Sequence, residues 1–557
     1  MTTPTSGGPS YAATVLTGRR RWVALAFLSL GVAMIILDAT VVNVAIPTIV
    51  KDLGLTTTDA EWVNAAYALV FASLLLVSGR LADLFGRRLM FLGGVAVFVV
   101  ASVLVAASGS GTALIGARAL QGLGAAMILP SSLSVLNAVF VGKARAVAFA
   151  AWGATIGGMA ALGPLVGGWL TENASWHWAF LINVPIGIAV FVAVLLIVPE
   201  TREPGGRRGV DVPGTLLATF GLLGVVFALI EGQRYGWVVL QAPFEAGPVT
   251  WTWSVSPVLV AAVVGLALLA AFLLVEQRRI AADQVVVVDL RLFRIRTFGA
   301  GNVVALVVSL GEFGLLFALP LFLQTVRGYS AFDTGVILLA LALGSFTASG
   351  AGAGLAQRIG PVRVLQIGMG LEAIGILGLG LVISTSVTGW ALAPWLFLYG
   401  AGVGFATAQL TGVILAEIPV AESGQASAVQ STSRQVGAAI GTAVLGTTLL
   451  IGMGSITGQL EDRGVQTAQA EQVTEAVRAS AGTVIPSLAA APNGEVLVEG
   501  ASEGYADATR MVAWVAAAFV TAGLGTSFLL PANAARREDE GYEPPHPHGE
   551  RHQADPV

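Results

Sequence analysis

The chain has 557 residues, 55% of them hydrophobic and only 11% charged, with 29 basic and 33 acidic side chains and a net charge of -4. A soluble domain carries roughly 25% charged residues, so this composition excludes a cytosolic enzyme, a nucleic-acid binder and a disordered scaffold, and leaves a polytopic membrane protein. There is no cysteine, which removes disulfides, thiolate chemistry and Cys-ligated metals.

Residues 1–21 read as a disordered tail, rich in Ser, Thr, Gly and Pro and closed by Arg19-Arg20-Arg21. A membrane helix needs about 20 mostly apolar residues. Fourteen stretches qualify: 22–47, 59–79, 89–108, 112–136, 145–170, 178–198, 212–231, 256–275, 298–324, 332–355, 363–384, 391–416, 424–451 and 510–530. Strands of a membrane barrel are about 10 residues long and alternate, so the expected fold is all-α, with 14 transmembrane helices. The first stretch is too long for the apolar region of a cleaved signal peptide and reads as a retained helix. Between spans 13 and 14, the loop 452–509 reads as a solvated spacer, with Gln459 to Ala481 as a candidate polar helix. Residues 531–557 are acidic and rich in Pro and His, a second disordered tail.

Basic residues set orientation, because cytoplasmic loops hold an excess of Lys and Arg. Twenty-one of the 29 fall in the even-numbered connections and the two tails, and six in the odd-numbered connections. The remaining two, Arg118 and Arg434, lie inside spans. Both termini are therefore expected in the cytoplasm.

The chain also carries a repeat. Leu81, Ala82, Phe85 and Gly86 after span 2 align with Leu355, Ala356, Ile359 and Gly360 after span 10, at an offset of 274 residues. The same offset carries Asp38 onto Glu312, each followed by a proline, Pro47 or Pro320. Transporters are often built from such repeated halves. The expected organisation is a six-helix bundle at 22–198, a linker at 199–297 holding two extra helices, and a second six-helix bundle at 298–530 that includes the loop 452–509.

An ionisable group in a bilayer costs roughly 2.5–3.5 kcal/mol on insertion scales and is a functional candidate by default. The embedded set is Asp38, Arg118, Glu312, Glu372 and Arg434. Asp38 lies roughly 24 Å along an outward-running helix and Arg118 roughly 9 Å along an inward-running one, so both sit at similar depth. Such a pair can couple proton binding to conformation; the alternative is a static ion pair. Gln121, one turn from Arg118, can join the same network. Glu312 can carry a proton, attract a cation, or sit protonated between helices. Glu372 and Arg434 are read as a supporting network, with a structural role open for Glu372 and an acid or an anionic substrate group as partner for Arg434. Aromatic and Met side chains including Trp62, Tyr67, Trp152, Phe313, Phe317 and Phe405 are candidate cavity linings. No nucleotide-binding G-x-x-x-x-G-K-[ST] loop is present, and no nucleophile–base set or metal cluster is legible.

Several segments resemble motifs of the major facilitator superfamily. Gly79-Arg80-Leu-Ala-Asp83-Leu84-Phe-Gly86-Arg87-Arg88 is similar to its GxLaDrxGrk loop, and Arg118-Ala-Leu-Gln121-Gly122-Leu-Gly124 to its RxxQGxG motif. Gly158 with Gly163-Pro164-Leu-Val-Gly167-Gly168 resembles the GPxxGG antiporter motif. Leu37-Asp38-Ala-Thr40-Val-Val-Asn43-Val-Ala-Ile-Pro47 resembles a motif of the fourteen-span drug/proton antiporters, and Trp176-His177-Trp178-Ala-Phe-Leu-Ile-Asn183-Val-Pro185 the WRWxFxxNxP stretch of that subfamily. The chain departs from these patterns at Leu84 and His177, where basic residues are usual.

The resemblance implies alternating access by two rocking bundles and supports proton coupling at Asp38 and Arg118; Glu312, singled out by the repeat, is placed with them, and Asn43 in the supporting network. It implies a cytoplasmic latch at Gly79 to Arg88 that stabilises the outward-facing state. It further implies a proton-coupled antiporter exporting lipophilic, cationic drugs or antibiotics. The expected partners are small lipophilic substrates, protons and the lipid bilayer, with no nucleic acid, no cofactor beyond the proton gradient, and a monomeric state. The expected location is the cytoplasmic (inner) membrane of a bacterium. Two alternatives stand beside it: a dedicated exporter of one natural product or lipid, and a non-transporting membrane receptor or assembly factor.

Overall fold

The computed structural model describes residues 16, 18–55, 57–201, 209–246 and 249–531. Most of both expected tails lies outside these residues. Arg19, Arg20 and Arg21 do not belong to the N-terminal tail: they form the first turn of α1 (Arg19–Leu53).

The first half continues through α2 (Thr57–Phe85), α3 (Arg87–Ala106), α4 (Gly111–Val139) and α5 (Gly142–Asn173), and ends in a broken span made of α6 (Trp176–Leu181) and α7 (Asn183–Ile197). The inserted pair is α8 (Val212–Tyr235) and α9 (Pro257–Ala281), with a two-residue antiparallel strand pair in the connection between them. The second half is α10 (Arg296–Thr325), α11 (Ala331–Ile359), α12 (Pro361–Val382), α13 (Gly389–Leu415) and α14 (Ser423–Gly452). The short helices α15 (Ser455–Glu461) and α16 (Thr467–Ala479) then precede α17 (Gly494–Ser527).

Local chemistry sets these boundaries. Side chains of Ser110, Asp211, Ser256 and Ser330 accept backbone N–H bonds at the starts of α4, α8, α9 and α11, satisfying donors a first turn cannot pair. Gly54 ends α1 in the left-handed conformation, with φ of 60°.

Twelve helices among the described residues are long and apolar enough to cross a membrane, and thirteen if bent α5 counts as one span. The expected fourteen is not reached by this count. The chain is a multi-pass membrane protein all the same, and its surface says why. Leu196, Leu381 and Trp390 are 77%, 75% and 86% exposed. In water such apolar side chains would be unfavourable, whereas in lipid they are solvated. Helix α9 is apolar around most of its circumference and largely exposed, as expected of a lipid-facing helix.

Helices α1–α7 pack on one another, as do α10–α14 with α17. Between the two sets, α5 lies along α11 and α2 along α14. If the repeat relates span 2 to span 10 and span 5 to span 13, these two contacts exchange with each other, which is the symmetry a two-fold pseudo-repeat requires. Glycines permit the approach. A β-carbon at Gly158 would collide with Phe346 of α11, and one at Gly79 with Ala428 of α14. Gly168 faces Ala331 and Phe332. The other antiporter-motif glycines point elsewhere: Gly163 packs on Thr40 and Gly167 on Val41, both on α1 of the same half. Next to Pro164, which lacks an N–H, α5 bends by 44° between residues 144–159 and 162–171.

The loop 452–509 is not a spacer. Its helices α15 and α16 and the N-terminal turns of α17 share one apolar core, with Ile456, Leu460, Val477, Leu497 and Tyr505 each 2% exposed or less. The acidic and polar side chains that suggested a solvated segment occupy the outer faces. The candidate polar helix at Gln459 to Ala481 divides into the end of α15 and all of α16, separated by a turn at Gly464 with φ of 83°.

Candidate functional site

Asp38 and Arg118 meet where α1, α2, α4 and α7 converge. Nη1 of Arg118 donates to Oδ2 of Asp38 at 2.5 Å, and neither side chain is more than 1% exposed. Arg118 also donates to Oε1 of Gln121 at 2.7 Å and to the carbonyl of Val63 at 3.1 Å, and lies over the Tyr67 ring, 4.4 Å from its centre. The second carboxylate oxygen of Asp38 accepts from Gln121 at 3.1 Å and Asn183 at 2.8 Å. Ser102 on α3 is bonded to both amides. Both carboxyl oxygens of Asp38 thus accept hydrogen bonds. Placing a proton on Asp38 would remove the partner of a buried guanidinium, and unpairing a buried ion pair costs about 3–5 kcal/mol.

Sequence reading placed Asp38, Arg118 and Gln121 together. It did not place Asn183, although the stretch 176–185 contains it, because a single amide at a span start gives no hint of its direction. Ser102 carried no signal, and Tyr67 was read as a candidate cavity lining, whereas its ring lies against Arg118. The side chain of Asn43 lies outside the described residues.

In the second half, Nη2 of Arg434 on α14 lies 3.3 Å from Oε2 of Glu312 on α10. The hydroxyl of Tyr399 on α13 donates to the Glu312 carbonyl at 2.8 Å. Glu372 on α12 is fully buried, and neither of its carboxyl oxygens has a hydrogen-bond partner. Asp38 and Glu312 thus each meet an arginine of their own half. The arginines come from non-equivalent helices, span 4 in one half and span 13 in the other, so the repeat extends to the acids and not to their partners.

The arginine-rich end of the molecule is bridged. Asp83 sits at the end of α2, where its two carboxylate oxygens accept the backbone N–H groups of Gly424 and Gln425, each at 3.0 Å. These are unpaired donors at the start of α14, where the helix dipole favours an anion. Arg87 pairs with Asp83 at 3.1 Å from within the same half. Arg88 donates to the Val198 carbonyl at 3.1 Å, and the Arg88 and Leu89 N–H groups donate to Glu200. Arg80 is half-buried one turn before Asp83. Gly86, with φ of 114°, makes the turn from α2 to α3, a conformation other residues rarely adopt. A second bridge went unseen in the sequence: Asn137 of α4 donates to Ser423 at 2.9 Å, and Arg145 of α5 reaches Asn137 and the Ala416 carbonyl.

A cavity of about 430 Å³ lies near this end between α1, α5 and α11, lined by Trp22, Leu25, Ala154, Phe346, Ser349 and Ala353 among others. Its volume falls in the range of drug-sized sites, roughly 300–1,000 Å³. The aromatics picked out from the sequence do not line it: Trp152 and Tyr67 are buried in the first half, and Phe313 and Phe317 lie outside the described side chains.

The profile of the Major Facilitator Superfamily matches residues 28–442. The chain belongs to that superfamily. It is a membrane transporter and not an enzyme. The probable actinorhodin transporter of Streptomyces coelicolor is 35% identical over 476 residues, spanning 84% of this chain and 78% of that protein. The puromycin resistance protein of Streptomyces alboniger is 35% identical, over 81% of this transporter and 85% of its own length. The multidrug efflux pump LfrA of Mycolicibacterium smegmatis is 34% identical, over 80% and 84%. Among solved structures, a bacterial homologue of the human lysosomal transporter Spinster, inward-facing and unoccupied, aligns with a TM-score of 0.53 at 17% identity, covering 94% of this transporter and 99% of that chain. The human organic anion transporter TETRAN aligns at 0.52 with 15% identity, covering 92% and 100%. Both likenesses concern the fold.

Proposed function

We propose that this transporter exports lipophilic, cationic drugs or antibiotics across the cytoplasmic membrane of a bacterium in exchange for protons, with both termini in the cytoplasm. The observation that carries the reading is the sealed Asp38–Arg118–Gln121–Asn183 network, a titratable group wired to four helices of one bundle. A proton arriving at Asp38 releases Arg118, the helices around it shift, and the bundle rocks. Proton release on the other side restores the pair. The latch of Asp83 on the start of α14 holds the arginine-rich, cytoplasmic end closed meanwhile. Substrate class is supported by the apolar lining of the 430 Å³ cavity between the two halves and by relatives whose names speak of antibiotic resistance, export and multidrug efflux.

The test is a susceptibility panel in an efflux-deficient host. Wild type is expected to raise tolerance to several structurally unrelated lipophilic cations, and Asp38→Asn to restore sensitivity. A second reading, dedicated export of one natural product, is favoured by relatives named for a single compound, such as the tetracenomycin C resistance and export protein of Streptomyces glaucescens. Protection against one compound class alone would select it.

A further inference from the structure

The two halves of the transporter differ in their charge balance. In the first half one acid, Asp38, faces one base, Arg118, and the carboxylate is fully satisfied. In the second half two buried acids share one base. Glu312 is 3% exposed and Glu372 is 0% exposed, and Arg434 makes a single 3.3 Å contact, with Glu312. The two acids are tied to the same turn of α13. The backbone of Glu372 packs directly on Gly402 of α13, where a β-carbon would not fit. Three residues earlier on α13, the Tyr399 hydroxyl reaches across to the Glu312 carbonyl. Glu312 and Arg434 both act electrostatically on Glu372.

Among the described residues, no other base balances this pair. Arg296, Arg358 and Arg363 sit at helix ends, and Arg510 is bonded to Asp507 and to the carbonyl of Ile383 at the far end of α12. Glu312 of α10 and Arg434 of α14 act on Glu372 through charge without bonding it, and the phenol of Tyr399 on the neighbouring α13 bonds the Glu312 carbonyl. The ionisable residues of α11 lie at its ends and those of α17 in its N-terminal half. An isolated carboxylate transferred into such surroundings neutralises instead of remaining charged.

We propose that Glu312 and Glu372 together bind one proton in this conformation, in which Asp38 binds none. The pair is a second proton site, on the opposite bundle from the first. Its titration belongs to the pair and not to either residue: whichever carboxyl is ionised takes Arg434, and the other is neutral. Glu372 is thereby a proton-binding residue and not a packing residue. The site's role in transport rests on proton exchange as proposed above, but its existence does not.

The experiment is infrared difference spectroscopy of the full chain in lipid nanodiscs near neutral pH, with the glutamate carboxyls labelled with ¹³C. It reads the C=O stretch of protonated carboxylic acids, identified by its isotope shift. Glu372→Gln is expected to lose one protonated-glutamate band, Glu312→Gln to lose one, and the double variant to lose no more than either, since each remaining acid pairs with Arg434. Glu372→Asp, with the aspartate carboxyls labelled as well, is expected to retain one protonated carboxyl shared by the pair, which guards against a glutamine variant that misfolds. Asp38→Asn leaves the glutamate bands unchanged. Persistence of the band in Glu372→Gln, survival in Glu312→Gln, or an additive loss in the double variant overturns the shared site. Abolished proton-driven efflux is not read by this experiment: a pump that ignores protons while the shared band is present would sink the transport reading and leave the site standing.

Discussion

Asp38 carries three hydrogen-bonded partners on two other helices, α4 and α7, and that number decides what substitution does. Asp38→Asn keeps the shape and strands Arg118 without a counter-charge. Arg118→Gln strands the carboxylate, and each single change is expected to cost about 3–5 kcal/mol against global unfolding. The double variant, which removes both charges, is expected to cost clearly less than their sum, because residues in one network do not add. Thermal unfolding in detergent checks this. Additive losses would mean that the two side chains do not depend on each other. At this scale the sequence was informative where charge was rare. Five ionisable residues in an apolar chain stand out, and the geometry pairs four of them. It was silent where polarity was ordinary. Ser102, Asn183 and Tyr399 complete the networks, yet a serine, an amide or a phenol in a membrane helix fits many environments, and helical periodicity does not say which helix it will meet.

Helices α2 and α14 approach closely at the arginine-rich end because Gly79 presents no side chain to Ala428 and to the Gly424 carbonyl. Gly79→Val is therefore expected to push the helix ends apart and break the Asp83 bonds to Gly424 and Gln425. Asp83→Asn keeps the size but sets an amide NH2 against one backbone N–H and unpairs Arg87, losing charge-assisted bonds each worth about 1.5–3 kcal/mol. Both changes are expected to favour the conformation open at this end. Solvent labelling of a single cysteine at Ser427 measures it, since the chain has no native cysteine to interfere. Unchanged labelling in both variants would show that the latch does not hold the ends. The sequence located this loop through its glycines and charges. It did not name α1 as the partner of Gly163 and Gly167, because a small-residue run marks a close approach without naming the partner. It misdirected over loop 452–509, where polar faces of short amphipathic helices look like a solvated strip.

At the scale of the whole molecule, two bundles are joined at one end by the Asp83 and Asn137 bridges, and transport by rocking requires those bridges to part. Paired cysteines at Asn137 and Ser423 are expected to cross-link on mild oxidation, to arrest transport, and to regain it on reduction. Transport that continues through the cross-linked state would exclude rocking at this end. The all-α, multi-helix architecture followed from the scarcity of charge and the length of the apolar runs, which the bilayer makes unambiguous. The packing of α15 and α16 on α17 and the cross-bundle bridges depend on tertiary contacts that no local pattern encodes. Proton coupling through Asp38 is the central claim, and everted membrane vesicles test it most directly. Accumulation of ethidium, a lipophilic cation, is followed under an imposed pH gradient, in wild type and in Asp38→Asn. Uptake is expected in wild type, to vanish when the gradient is collapsed with an ionophore, and to be absent in Asp38→Asn. Uptake that survives both the collapsed gradient and the Asp38→Asn substitution would contradict it.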